Sequence, residues 1–268
     1  MGDFKERIGF EAGGRRLEDA LVWARANGFH FVDFNADIGP NHLHEWSDQR
    51  VESVRRTAAS ARVELILHTL SGVNVAEFSP FVAPAVDQYL QANIRLAQRL
   101  GSSKMIVHAG YHFSSNEPQR KSVSLERLKR TALVAEKAGV TLLLENLNRE
   151  PDDAEVHYLA FDVDGCRPYF EAIAGPAFGW AFTANHAHLV PEDFDGFLDA
   201  YGIERIGEVR LADCRGDKEE HLLPGEGTLD FRRLFRRLED AGYRGHYSMA
   251  FGSDQDKLRA RDLFAGMV

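Results

Sequence analysis

Short apolar runs alternate along this chain with segments whose apolar residues return at every third or fourth position. Runs at 7–10, 29–35, 64–70, 104–110, 141–149, 179–186, 206–213 and 245–251 predict eight strands or strand exits. Between them Leu17, Ala20, Leu21 and Ala24 share one helical face, as do Val51, Val54, Ala58 and Ala61. The same spacing recurs at Tyr89, Asn93, Ile94, Ala97 and Leu100, at Leu125, Leu128, Ala132 and Ala135, and at Phe231, Leu234, Phe235, Leu238 and Ala241. Segments 165–174, 194–198 and 258–264 complete the helical set. Gly28, Gly101, Gly139 and Gly242 follow four of these helices, where a glycine ends a helix at no steric cost.

Strands alternating with helices at roughly thirty residues per unit predict parallel βαβ connections. Eight such units fit a closed (β/α)8 TIM barrel, an α/β fold, as a single domain over 1–268. The competing architecture, an open doubly wound sheet, would be expected to carry a glycine-rich phosphate loop. Neither GxGxxG nor GxxxxGK[ST] occurs in the chain.

Composition narrows the function classes. With 268 residues, 44% hydrophobic and 27% charged, the chain can bury a sizeable core as an ordinary soluble protein. Its formal charge of −9 offers no general attraction to nucleic acid or to an anionic membrane. Cys166 and Cys214 show no zinc-ligand spacing, and no apolar stretch is long enough to span a bilayer or to serve as a secretory segment. A cytoplasmic protein with a small-molecule substrate and no membrane partner is the expectation, with a homo-oligomer or a partner subunit left open.

The chemistry gathers where strands end. The run TLLLE carries four apolar or β-branched residues straight into Glu145, which Asn146, Asn148 and Arg149 follow. A carboxylate closing a buried strand needs partners. In a parallel barrel such residues meet at one mouth, and the other ends supply Glu11, Asn35, His68, His108, Thr183 with His186, Arg210 with Asp213 and Arg215, and Ala250. Glu219 and His221 lie in the loop after the seventh strand. Tyr111, Phe113, Tyr158 and Phe251 are candidates to line a pocket, and loops 37–46 and 150–158 to cover it. The basic runs 127–130 and 232–237 read as solvated helix faces, and Trp23, Trp46 and Trp180 as packing.

The segments HTLSGVN (68–74), VHAGYH (107–112), LLLENLNRE (142–150), TANHAHL (183–189), RLADCRG (210–216) and HLLPGEGTLDF (221–231) carry a family likeness over nearly the whole chain. The chain resembles the xylose-isomerase-like barrel superfamily of sugar isomerases, epimerases, related dehydratases and endonuclease IV. ENLNR is similar to the matching segment of ketose 3-epimerases.

The resemblance implies a divalent cation held by Glu, Asp, His and Glu at the ends of strands five to eight. Glu145 matches the first ligand, but Thr183, Arg210 and Ala250 stand at the other three places. A guanidinium donates and cannot ligate a cation, so the resemblance implies a degenerate metal site. The expectation is a sugar isomerase or epimerase relative that works by proton transfer without that metal, on a polyhydroxylated or carbonyl-bearing small molecule. Glu145 is the expected base, Arg210 the electrostatic stabiliser and His186 a third catalytic group. His68, His108, Asn148, Arg149, Arg215 and His221 are expected to hold substrate. No cofactor is expected, although Zn, Mn or Mg is not excluded. By likeness to endonuclease IV, zinc would take His68, His108 and Glu145, and a second ion His186, Glu219 and His221. Two other readings compete: a catalytically silent barrel kept as a binding or partner subunit, and a zinc-dependent endonuclease IV-like hydrolase. The acidic charge weighs against the hydrolase.

Overall fold

Alternate residues of each strand face opposite ways, and in this chain both faces are buried. The computed structural model describes residues 3–113 and 115–268. Its strands are β1 (Ile8–Glu11), β2 (Phe31–Asn35), β3 (Glu64–His68), β4 (Lys104–Val107), β5 (Thr141–Glu145), β6 (Phe178–Thr183), β7 (Ile206–Leu211) and β8 (Tyr247–Met249). All pair in parallel, each with its sequence neighbours, and β8 returns to β1 through Ile8↔Tyr247 and Phe10↔Met249 to close the barrel. Eight helices follow the strands: α1 (Leu17–Ala26), α2 (Asp48–Ala61), α3 (Ala83–Leu100), α4 (Glu117–Lys137), α5 (Val163–Ala172), α6 (Asp193–Tyr201), α7 (Phe231–Asp240) and α8 (Asp254–Ala265). The expected TIM barrel is the observed fold.

Outward-facing strand residues such as Val32, Leu65, Val107, Leu144, Phe182 and Val209 join the main core with the helices. Inside the barrel the two halves differ. Ile66, Ile106, Leu143 and Ala181 form a separate apolar cluster within the lumen. Two residues further along the same strands, the inner face presents His68, His108, Glu145 and Thr183. An apolar plug thus supports half of a polar mouth. The other half of the lumen is ionic: Asp33, Glu208, Arg210 and Ser248 are all buried. At its foot His246 contacts Glu208 at 3.2 Å and stacks on Phe31, with ring centroids 4.3 Å apart. β1 and β2 approach so closely here that a Cβ on Gly9 would lie 2.4 Å from the Phe31 carbonyl oxygen.

Several boundaries differ from expectation. β6 ends at Thr183, and His186 lies in a short helical turn, Ala184–Ala187. Loop 150–158 is tied down, because Tyr111–His112 and His157–Tyr158 pair as a two-stranded antiparallel ribbon. Arg127, expected on a solvated face, is buried. Its Nε donates to Asp87 at 2.7 Å and its guanidinium reaches the Val75 carbonyl. Trp46 and Trp180 are core residues as expected, whereas Phe113 is exposed and Phe251 belongs to the core.

Asn146 fixes the junction of β5 and β6. Its side-chain oxygen accepts from Trp180 Nε1 at 3.0 Å and from the Thr183 amide at 2.9 Å, and its nitrogen donates to the Thr183 carbonyl at 2.9 Å. Asn146→Ala strands three buried polar groups and is expected to destabilise the fold by about 2–4 kcal/mol. Denaturant unfolding checks this, and a loss below about 1 kcal/mol removes the clamp role.

Candidate active site

Glu145 is the pole of the mouth. Its Oε2 lies 3.0 Å from His108 Nε2 and 3.2 Å from His68 Nε2, and the two imidazole nitrogens are 3.1 Å apart. Its Oε1 accepts from the Thr183 hydroxyl at 2.5 Å and faces Arg210 Nε at 3.3 Å. Burial pushes this carboxyl up, but hydrogen bonds and charge from His108 and His68 overcome that and hold it well below the usual carboxylate range. The two imidazoles diverge. Burial lowers both, yet His68 is raised on balance by its bond to Glu145, whereas His108 stays lowered. The Nδ1 atoms of both rings are buried without a hydrogen-bond partner, and His68 Nδ1 faces Asp33 Oδ2 at 3.5 Å.

Arg210 sits across the lumen in a cage of carboxylates. One terminal nitrogen donates to Glu11 at 2.8 Å, and the other contacts Asp33 and lies 3.5 Å from Glu208. With Nε turned to Glu145, each guanidinium nitrogen faces an acid. Arg210, expected as an electrostatic stabiliser, lines the cavity with its guanidinium turned to the protein's own carboxylates. Burial pushes Glu11 up, but Arg210 together with His68 and His221 leaves it lowered, while burial raises Glu208 to about 8 and lowers His246 to about 3.

A second convergence lies nearer the rim. Glu219 Oε1 is 3.3 Å from His186 Nε2 and 3.2 Å from His221 Nε2, and these bonds lower Glu219 to about 2. His186 Nδ1 meets the Asn146 carbonyl at 2.9 Å, and His221 Nδ1 meets that of Ala250. The cavity of about 280 Å³ that joins the two groups is also lined by Asn35, Ile38, Asn148 and Tyr158. Ile38 and Tyr158 come from the two loops expected to cover the mouth.

Of the expected site residues, Glu145, His68, His108, Asn148, His186, Arg210 and His221 reach this cavity. Arg149 and Arg215 do not. They are half-exposed outside it, held by Asp152 and Glu220 respectively. Sequence reasoning missed Asp33, Glu208 and His246. The alternation in FVDFN and IGEVRL marks the two acids as sharing a face with Asn35 and Arg210, which was the available signal.

The fit of a cation differs between places. At Glu145, Thr183, Arg210 and Ala250, the family's four-ligand position, two carboxylates are missing and a guanidinium intrudes, so a divalent ion does not fit. The triad of His68, His108 and Glu145 does fit one. Its donor separations of 3.0–3.2 Å approach the edges of about 3.3 Å that a tetrahedral zinc shell sets. Asp33 stands behind His68 as a carboxylate does behind a zinc-bound imidazole. His186, Glu219 and His221 offer a more exposed set of donors.

Eight parallel strands with a buried Glu–His constellation at their carboxyl ends define a (β/α)8 barrel with an enzyme-like mouth. The chain belongs to the xylose isomerase-like TIM barrel family, whose profile matches residues 21–265. It is 25% identical to L-ribulose-5-phosphate 3-epimerase UlaE of Escherichia coli, covering 93% of this chain and 91% of that one. A solved D-tagatose 3-epimerase-like protein superposes with a TM-score of 0.85 at 20% identity over 97% of each chain. A Thermus thermophilus protein, TTHB071, soaked with ZnCl2, superposes with a TM-score of 0.75 at 23% identity, covering 98% of this chain and 99% of that one.

Glu208 gives the site a pH signature. The native state binds its proton more tightly than the unfolded chain does. Burying Glu208 therefore costs nothing below the usual carboxylate range, and the cost grows by about 1.4 kcal/mol per pH unit up to about pH 8. Glu208→Gln is expected to match the parent near about pH 5 and to exceed it in Tm increasingly towards about pH 8. Calorimetry across this range tests the sign; a difference independent of pH contradicts it.

Proposed function

We propose that the protein is an isomerase- or epimerase-type enzyme that moves a proton on a polyhydroxylated, carbonyl-bearing small molecule, without the family's four-ligand cation. One observation carries the reading: two buried imidazoles share a single oxygen of Glu145 at the floor of the cavity. The Nδ1 atoms are buried, so proton traffic runs through the Nε2 edge, where His108, lowered and therefore neutral, lies 3.0 Å from Glu145 and can accept a proton. In this reading His108 removes the proton from the carbon beside the carbonyl. The C–H electron pair moves into a C=C bond, and the carbonyl oxygen takes a proton from His68. Return of a proton to the first carbon from its opposite face, with the new hydroxyl's proton going back to His68, gives the epimer; its return to the former carbonyl carbon, with the other hydroxyl losing its proton, gives the isomer. Glu145 stabilises the imidazolium, and Arg210 holds Glu145 in place. His186, His221 and Asn148 orient hydroxyls. The epimerase names of the Escherichia coli relative and of the D-tagatose 3-epimerase-like neighbour support this class of reaction.

The convergence of His68, His108 and Glu145 favours one further reading, in which these residues hold zinc. Bound there, zinc would polarise a carbonyl oxygen. The zinc-soaked neighbour lends this reading support.

Elemental analysis of the purified protein, with proton–deuteron exchange into free and phosphorylated ketoses, tests the proposal. No stoichiometric metal is expected, and His108→Gln or Glu145→Gln should slow exchange by about 100-fold or more. One zinc per chain, with exchange abolished by chelation, overturns the metal-free reading. Undiminished exchange in both variants overturns the roles given to them.

A further inference from the structure

We infer that the cavity takes a neutral, unphosphorylated molecule and that the protein's own carboxylates exclude phosphate esters, a step that rests on the proposed function for the polyhydroxylated nature of that molecule. A phosphate in a barrel of this kind is expected at the loops after the last two strands and at a nearby helix N-terminus, where backbone N–H groups stand free. Here acids of the chain already occupy those groups. Asp213, buried at the exit of β7, accepts from the amides of Gly225 and Gly227 at 2.8 and 3.0 Å through one oxygen. Its other oxygen accepts from the amides of Cys214 and Leu229 at 2.9 and 3.1 Å. Four donors thus converge on one internal anion. The fit leaves no room for another, since a Cβ on Gly227 would already lie 2.3 Å from Asp213. After β8, the capping box of α8 takes two more amides, Asp256 accepting from that of Ser253 at 2.9 Å and the Ser253 hydroxyl from that of Asp256 at 3.4 Å.

Side-chain charge points the same way. Among the described residues lining the cavity, Arg210 is the sole fixed cation, and Glu11, Asp33 and Glu145 hold it. Three carboxylates, Glu11, Glu145 and Glu219, line the same space. Lys257, the ammonium beside Glu11, is turned to that residue's carbonyl oxygen at 3.4 Å, and Lys218 is exposed outside the lining. A phosphate dianion entering this mouth would lose water, and the imidazoles of His68 and His221, both raised by neighbouring acids, are already turned to Glu145 and Glu219. Hydroxyl groups, in contrast, find imidazoles, carboxylates and the amide of Asn148. At about 280 Å³ the cavity lies at the small end of ligand sites, which run from roughly 300 Å³ upward.

Calorimetric titration of the full chain tests this with free ketopentoses and ketohexoses, the same sugars as terminal phosphate esters, and inorganic phosphate. At least one free sugar is expected to bind, its ester at least tenfold more weakly, and phosphate not to compete. Glu219→Gln, on an exposed loop, should narrow the ratio of sugar to ester affinity several-fold. An ester that binds as tightly as its parent sugar, competition by phosphate, or a panel in which nothing binds overturns the inference. An unchanged ratio in Glu219→Gln overturns the part given to that residue. The two readings fail separately: a free sugar that binds but exchanges no proton contradicts the proton-transfer proposal and leaves the exclusion of phosphate standing.

Discussion

A guanidinium fixed inside the barrel is the interaction on which the mouth depends. Arg210 contacts Glu11 from β1, Asp33 from β2 and Glu145 from β5, and lies beside Glu208 of its own strand, whose carboxyl burial keeps protonated near neutral pH. Buried charges persist only where each is compensated, and removing one partner leaves the others uncompensated at a cost of about 3–5 kcal/mol. Arg210 therefore joins three strands of the barrel to β7 electrostatically as well as through the backbone ladder. It also stands at one of the four positions that the family likeness assigns to a cation's ligands, as a positive charge that is part of the chain.

With Arg210 on one side of Glu145, the imidazoles of His68 and His108 stand on the other. The two oxygens of that carboxylate divide the mouth. Oε1 faces Thr183 and Arg210, and Oε2 faces His68 and His108. The same burial acts on both imidazoles, but their neighbours differ. His68 lies against several carboxylates, whereas His108 also feels the charge of two other histidines. Two chemically identical side chains are thereby pushed apart in proton affinity, the arrangement that separates an acid from a base.

Much of this was legible in the sequence, and the rest failed for identifiable physical reasons. The eight apolar runs fixed the barrel because a parallel strand buried on both faces leaves little else for such runs to be. Glu145, His68, His108 and His186 were legible because a polar residue closing an apolar run has only the mouth to occupy. Asp33 and Glu208 were not, since an acid within a strand reads the same whether it faces solvent or a lumen, and only the closed barrel decides which. The outward turn of Arg149 and Arg215 follows from loop paths that no periodicity encodes, with Asp152 and Glu220 placed to draw them away. Thr183, Arg210 and Ala250 showed that three of the family's four ligand types are replaced. They did not reveal that Arg210 would be consumed by the acids around it.

The ribbon formed by Tyr111–His112 and His157–Tyr158 has a mechanical consequence. It stitches the loop after β4 to the loop after β5, and the stacking of His112 on His157, with ring centroids 5.4 Å apart, closes the seam. Tyr158 belongs to this seam and to the cavity wall at once. The two loops are thereby joined, so that displacing either one means carrying the other along or breaking the ribbon.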